Sequence, residues 1–178
     1  MAAVEQLKAA LTESGLIGSS VVPSTFQNPA VLLHATYPTF GNVQPGATHT
    51  VAETQDEPSV SFNAPEGAEC KFTIILADPD APSRQDQKWS PFLHWALADV
   101  VPGQAPGQTL VTYMGPAPPP KTGPHRYVFL VYKQPVDHLP ELGTEPDNRP
   151  SFAIADFVKR NELELVGANF FYAQNVEQ

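Results

Sequence analysis

The chain has 178 residues, 42 % of them hydrophobic, and a formal net charge of -9, which suits one domain spanning residues 1–178 with a real core. The acidic balance argues against a general nucleic-acid surface or a polybasic membrane patch, since both need clustered lysine and arginine. Its apolar runs are too short for a transmembrane segment.

With 20 prolines against 11 glycines, the composition favours short strands joined by stiff loops, because proline blocks helix interiors. The single cysteine, Cys70, has no intramolecular partner for a disulfide and fits a reducing compartment. The opening stretch "MAAVEQLKAALTESGLIG" carries Glu5 and Lys8 inside its apolar pattern and has no cationic region ahead of an apolar core. It does not read as a secretory signal, so a cytoplasmic location is expected.

In chain order, Val4, Leu7, Ala10 and Leu11 form one helical stripe that Gly15 stops, which predicts a short N-terminal helix. Strands follow at 31–37, 58–63, 70–78, 92–100, 108–114, 126–134 and 165–173. The run Tyr127 to Tyr132 is apolar on both faces, as befits a central strand covered on both sides. A second helix is predicted over 152–162, capped by Ser151, with Phe152, Ala155, Phe157 and Val158 inward. The stretches "PGQAPGQ" (102–108) and "GPAPPPKTGP" (115–124) read as loops. The pattern predicts a mainly β, Greek-key antiparallel sandwich with two peripheral helices.

Three stretches carry the chemistry. In "DPDAPSR" (78–84), Asp78 shares strand phase with Phe72, Ile74 and Leu76, which points it inward, where a carboxylate needs donors or cations. Asp78 and Asp80 either serve such a site or bind loop amides, as aspartates in turns do. In "FLHWALADV" (92–100), strict alternation sets His94 with Phe92, Ala96 and Ala98, opposite Leu93, Trp95 and Leu97. A strand histidine of this kind is either a satisfied core residue or a ligand contact. In "YMGPAPPPKTGPHRYVFLVYKQ", His125, Arg126 and Tyr127 stand at the mouth of a buried strand behind a proline-rich loop that has few N–H groups and free carbonyls. Arg126 is expected to pair with Asp78 or Asp80.

The blocks "DPDAPSR", "KWSPFLHW" and "GPHRYVFLVYKQ", with "STFQNP" (24–29) and "LVGANFFYA" (165–173), resemble the phosphatidylethanolamine-binding protein (Raf kinase inhibitor protein) family. The likeness is greatest to the fungal branch, which includes a yeast inhibitor of carboxypeptidase Y. The resemblance implies a Greek-key sandwich with a small anion pocket lined by Asp78, Asp80, Pro82, His94, Ala117, Pro118, Pro119, His125 and Tyr127, with Arg126 bracing the turn and a cis Ala81–Pro82 bond. It further implies a non-enzymatic module without cofactor or metal that binds phosphate or a phosphorylated headgroup. The implied partner is a serine carboxypeptidase, engaged through the N-terminal segment, or a protein kinase in a signalling role. A hydrolase using Asp78, His94 and His125 is the remaining alternative, disfavoured because no nucleophile elbow and no closely spaced metal-ligand pair is present. Ala117 departs from the glycine of many animal relatives, and the sequence stops soon after "NFFYAQ", where the mammalian branch carries a helix with a further pocket tyrosine.

Overall fold

The structure, a computed structural model, describes residues 2–63, 70–104, 106–135 and 138–178. Met1 and Ala105, which the sequence pattern assigns to the first helix and to a loop, lie outside these residues. In chain order the elements are α1 (Ala2–Glu13), β1 (Val31–Leu32), β2 (His34–Tyr37), β3 (Gly41–Asn42), β4 (Ala47–Thr50), a 3-10 turn (Ala52–Thr54), β5 (Ser59–Ser61), β6 (Phe72–Asp78), β7 (Phe92–Val100), β8 (Gln108–Val111), β9 (His125–Lys133), α2 (Ile154–Arg160) and β10 (Glu164–Gln174). No helix among the described residues is long and apolar enough to cross a membrane.

A seven-stranded sheet in the order β1-β10-β9-β6-β7-β8, with β4 also pairing β10, packs against a three-stranded sheet in the order β3-β2-β5. The two strands nearest the middle, β9 and β6, are buried along nearly their whole length because both faces of the large sheet are covered. On one face Phe72, Ile74, Leu76, Phe129 and Val131 meet the small sheet. On the other, Ile75, Ala77, Val128, Leu130 and Phe170 meet α1, α2 and the segment that joins α1 to β1. This second face is closed by helices and loop, a third layer added to the expected sandwich. Placing β9 between β6 and β10, both distant in sequence, is wiring of the Greek-key kind.

Several expectations shift by a residue or a partner. The predicted strand at 31–37 is two strands: β1 pairs with β10 and β2 with β5, so the chain changes sheets at Leu33. Helix α2 begins at Ile154 without a side-chain cap, because the N-cap position falls on Ala153; Ser151 stands two residues earlier, and its hydroxyl donates to the Lys88 carbonyl at 3.0 Å. The inner face of the helix is Ile154 and Phe157 with Val158 partly buried beside them, Phe152 is buried just ahead of the helix, and Ala155 is exposed. Helix α1 docks through Leu7 and Leu11 and stops at Gly15, whose φ of 67° suits a residue without a side chain.

Candidate ligand-binding site

At one end of the large sheet a cavity of about 190 Å³ is lined by the end of β6, the turn after it, the start of β7, the proline-rich loop before β9 and the start of β9. Eight of the nine expected residues line it: Asp78, Pro82, His94, Ala117, Pro118, Pro119, His125 and Tyr127. The ninth, Asp80, does not. It is fully enclosed, and Arg126 takes both of its oxygens, with Nη2 donating to Oδ1 at 2.6 Å and Nε to Oδ2 at 2.9 Å. The Arg126 amide also donates to Oδ2 at 2.9 Å. Such a paired, fork-like arrangement leaves the carboxylate little capacity for a ligand; Asp80 therefore belongs to the scaffold. Arg84 sits outside, its Nε 3.6 Å from Asp80 Oδ1.

Asp78 faces the cavity and is itself well satisfied. Its Oδ1 accepts the Asp80 amide at 2.7 Å and its Oδ2 accepts His125 Nδ1 at 2.8 Å. The other His125 nitrogen lies 2.9 Å from the Thr122 hydroxyl, and that hydroxyl donates to the Pro119 carbonyl at 2.8 Å. His125 is thus held at both ring nitrogens, between the Asp78 carboxylate and the Thr122 hydroxyl.

His94 owes its position to a β-bulge. Leu76 stands opposite Trp95 and Ala77 opposite Leu93, so His94 is the extra residue on β7. The bulge breaks the strict alternation expected there: Leu93 packs toward the helices and Trp95 toward the small sheet, on opposite faces. His94 Nδ1 donates to the Met114 carbonyl at 2.8 Å, which makes Nε2 the lone-pair nitrogen of the neutral ring. Burial holds this imidazole below its ordinary value, outweighing the Met114 carbonyl and the Asp78 charge that act the other way. Arg149 props the bulge, its Nη1 donating to the His94 carbonyl at 3.0 Å and its Nη2 to the Thr112 carbonyl at 3.0 Å.

The Tyr127 ring stacks on Phe171 and meets His94 edge-on, with centroids 5.2 Å apart in the second case. Its hydroxyl is buried and has no hydrogen-bond partner by distance and angle. Burial first, then the Asp78 and Asp80 charges, push the phenol far above its ordinary range, so it remains a neutral donor. The Ala117 amide acts on it in the opposite sense.

The proline-rich wall is stiff for an additional reason. Three of its carbonyls are not free, as the sequence suggests, but have side-chain donors: Gln55 to Pro116 at 2.9 Å, Asn175 to Pro118 at 3.1 Å and Thr122 to Pro119 at 2.8 Å. Gly115 admits Gln55, whose Nε2 lies 2.8 Å from where a Cβ would stand. The wall also includes Ala81, Trp89, Phe92 and Met114, which sequence reasoning did not single out. Trp89 and Phe92 were within reach of it, flanking Pro91 in the "KWSPFLHW" block, but nothing local distinguishes them from ordinary core aromatics. Both Ala81–Pro82 and Ser90–Pro91 are cis.

The family model described as phosphatidylethanolamine-binding protein matches residues 34–171. The chain is 40 % identical over 129 residues to the carboxypeptidase Y inhibitor of Saccharomyces cerevisiae, a match covering 58 % of this chain and 59 % of that protein's length. An uncharacterized protein of the same yeast is 31 % identical over 163 residues, covering 80 % of this chain and 81 % of its own. Among solved structures, the carboxypeptidase Y inhibitor complexed with its cognate proteinase superposes with a TM-score of 0.85 at 30 % identity, over 97 % of this chain and 96 % of that one. The Plasmodium vivax phosphatidylethanolamine-binding protein, at 19 % identity and a TM-score of 0.78, covering 94 % of this chain and 96 % of its own, supports the fold alone. The fold, the family-model match and the yeast relatives agree: this chain belongs to the phosphatidylethanolamine-binding protein family.

Proposed function

We propose that this protein is a non-enzymatic inhibitory module that holds a phosphate or a phosphorylated headgroup in the Asp78–His94–His125–Tyr127 cavity and acts on a serine carboxypeptidase. The observation that carries the ligand reading is the buried Tyr127 hydroxyl, a donor without an acceptor at the wall of a small cavity. A phosphoryl oxygen supplies that acceptor, and a P–OH group supplies the proton that His94 Nε2 can accept. At about 190 Å³ the cavity is below the roughly 300–1,000 Å³ of drug-sized sites, which suits a headgroup and not a whole lipid.

The protease reading rests on the likeness to the yeast inhibitor, and α1 leaves room for it. Ala2, Ala3, Glu5 and Gln6, in the first turns of α1, are exposed and so present side chains that a partner can reach. Calorimetry with phosphoethanolamine is expected to give one saturable site; its absence removes the ligand reading. Inhibition of a serine carboxypeptidase is expected from the full chain and is expected to weaken in a version lacking residues 1–6. If neither form slows the enzyme at micromolar concentration, the protease reading fails while the ligand reading stands.

A further inference from the structure

The small sheet ends at β5, and beside that edge lies a slot of about 380 Å³. One wall is β5 with its flanking residues, from Glu57 to Phe62, and the other is the β7–β8 loop with Pro102 and Pro106. The floor is Trp95, Leu97 and Val100, on the face of β7 that looks toward the small sheet. No residue of the slot lines the cavity at Asp78.

The register of the small sheet fixes which way the β5 backbone faces. The Ala35 carbonyl accepts the Val43 amide on the β3 side, so the neighbouring His34 and Thr36 turn their peptide groups toward β5, where they stand opposite Ser61 and Ser59. Val60, between those serines, therefore directs its N–H and its C=O away from β2. On that side β5 has no strand partner among the described residues. The Val60 side chain packs on the core between the sheets. A donor and an acceptor set apart as on one strand residue match another polypeptide backbone, not a headgroup or a lipid chain.

We propose that the slot binds an extended segment of a partner protein, which joins the small sheet as a fourth strand, antiparallel to β5 as β2 is. The residue opposite Val60 exchanges both hydrogen bonds with it and turns its side chain, like that of Val60, toward Leu97 and Val100. The segment thus carries aliphatic side chains at alternate positions. Among the described residues that line the slot Glu57 alone is charged, and the whole chain carries -9, which favours lysine or arginine at the segment's ends. Pairing with a second copy of this chain is disfavoured, because β5 is three residues long, Pro58 precedes it and the facing loop obstructs a folded sheet.

The probe is the peptide acetyl-KVTVTVK-amide, titrated by calorimetry into the full-length protein. Saturable binding is expected, with exchange of the Val60 amide hydrogen slowed about tenfold or more in NMR spectra of the complex. N-methylation of the peptide's valines, whose amides face β5, is expected to abolish binding, whereas N-methylation of its threonines, whose amides face away, is expected to change it by no more than about threefold. Val60→Pro removes an N–H that β2 does not use and is expected to weaken binding about tenfold. Glu57→Lys, at an exposed position, is expected to weaken it about threefold. If Val60→Pro fails to fold, the two methylated peptides decide the matter on the unaltered protein. A flat titration overturns the proposal, as does binding that leaves Val60 exchange unchanged or that is insensitive to valine methylation. Sedimentation showing that the peptide-free protein already pairs through β5 overturns it too.

Discussion

At the cavity wall the Tyr127 hydroxyl can donate a hydrogen bond, but the folded chain offers it no acceptor. Replacing Tyr127 with Phe removes a group that is desolvated without compensation, so the thermal midpoint is expected to hold or rise. Phosphoethanolamine affinity is expected to fall about tenfold or more, since a bond to a charged acceptor is lost. A variant that keeps full affinity would falsify the role given to Tyr127. The pH dependence follows from the neighbours. His94 is held neutral by burial, Asp78 is matched by His125, and Asp80 is matched by Arg126. A phosphate dianion thus meets no uncompensated cation in the cavity, and nothing there offsets the cost of taking its second charge out of water. A phosphomonoester takes up its second proton near pH 6, and the resulting P–OH can donate to His94 Nε2. Protonation of His94 acts in the same direction, so affinity is expected to rise as pH falls from about 8 to about 6. Calorimetry across that range checks the sign, and a flat profile rules the mechanism out.

At the scale of elements, a turn, a bulge and a loop converge on the cavity, and each is secured by its own brace. Arg126 locks the β6–β7 turn through Asp80, Arg149 supports the β7 bulge, and three side chains secure the proline carbonyls. Breaking the first brace is the most damaging, because Arg126→Leu leaves the Asp80 carboxylate buried without its cation. A loss of about 3–5 kcal/mol is expected in denaturant unfolding. The exposed pair Lys88–Asp86, at 3.5 Å, is the internal control. Its disruption is expected to change stability by no more than about 1 kcal/mol. Equal losses from the two changes would show that Asp80 is not structurally committed. The role of Arg126 was legible beforehand, because a turn with two acids ahead of a strand mouth calls for a cation. That it chooses Asp80 over Asp78 was not, since the choice depends on how β9 and β6 are registered.

Across the whole molecule, the large sheet is sealed on one face by the small sheet and on the other by helices, and α1 belongs to that seal. Leu7 and Leu11 are nearly inaccessible, whereas the residues before Leu7 contribute little to the core. Deleting residues 1–13 is therefore expected to cost about 2–5 kcal/mol for each leucine and to lower the thermal midpoint strongly. Deleting only residues 1–6 is expected to leave the midpoint nearly unchanged. This difference lets the protease assay read contact and not unfolding. If the shorter deletion also destabilises the fold, the N-terminal residues are part of the body and not a free arm.

The resemblance of its motifs to a known family pointed to the neighbourhood of the cavity, whereas the amino-acid sequence by itself determined the mainly β class, the two helices and the central position of β9. Those features follow from local causes: apolar runs, prolines that stiffen turns, and the period of buried positions. Only the tertiary structure decided that β1 and β2 part company at Leu33, that Ser151 pins a turn instead of capping α2, and that His94 is the extra residue of a bulge. Each of these outcomes is set by a partner distant in sequence. Asp78 and Asp80 make the point most plainly: two residues apart in one stiff turn, they are separated in role by His125 and Arg126, which arrive from β9 and take one carboxylate each.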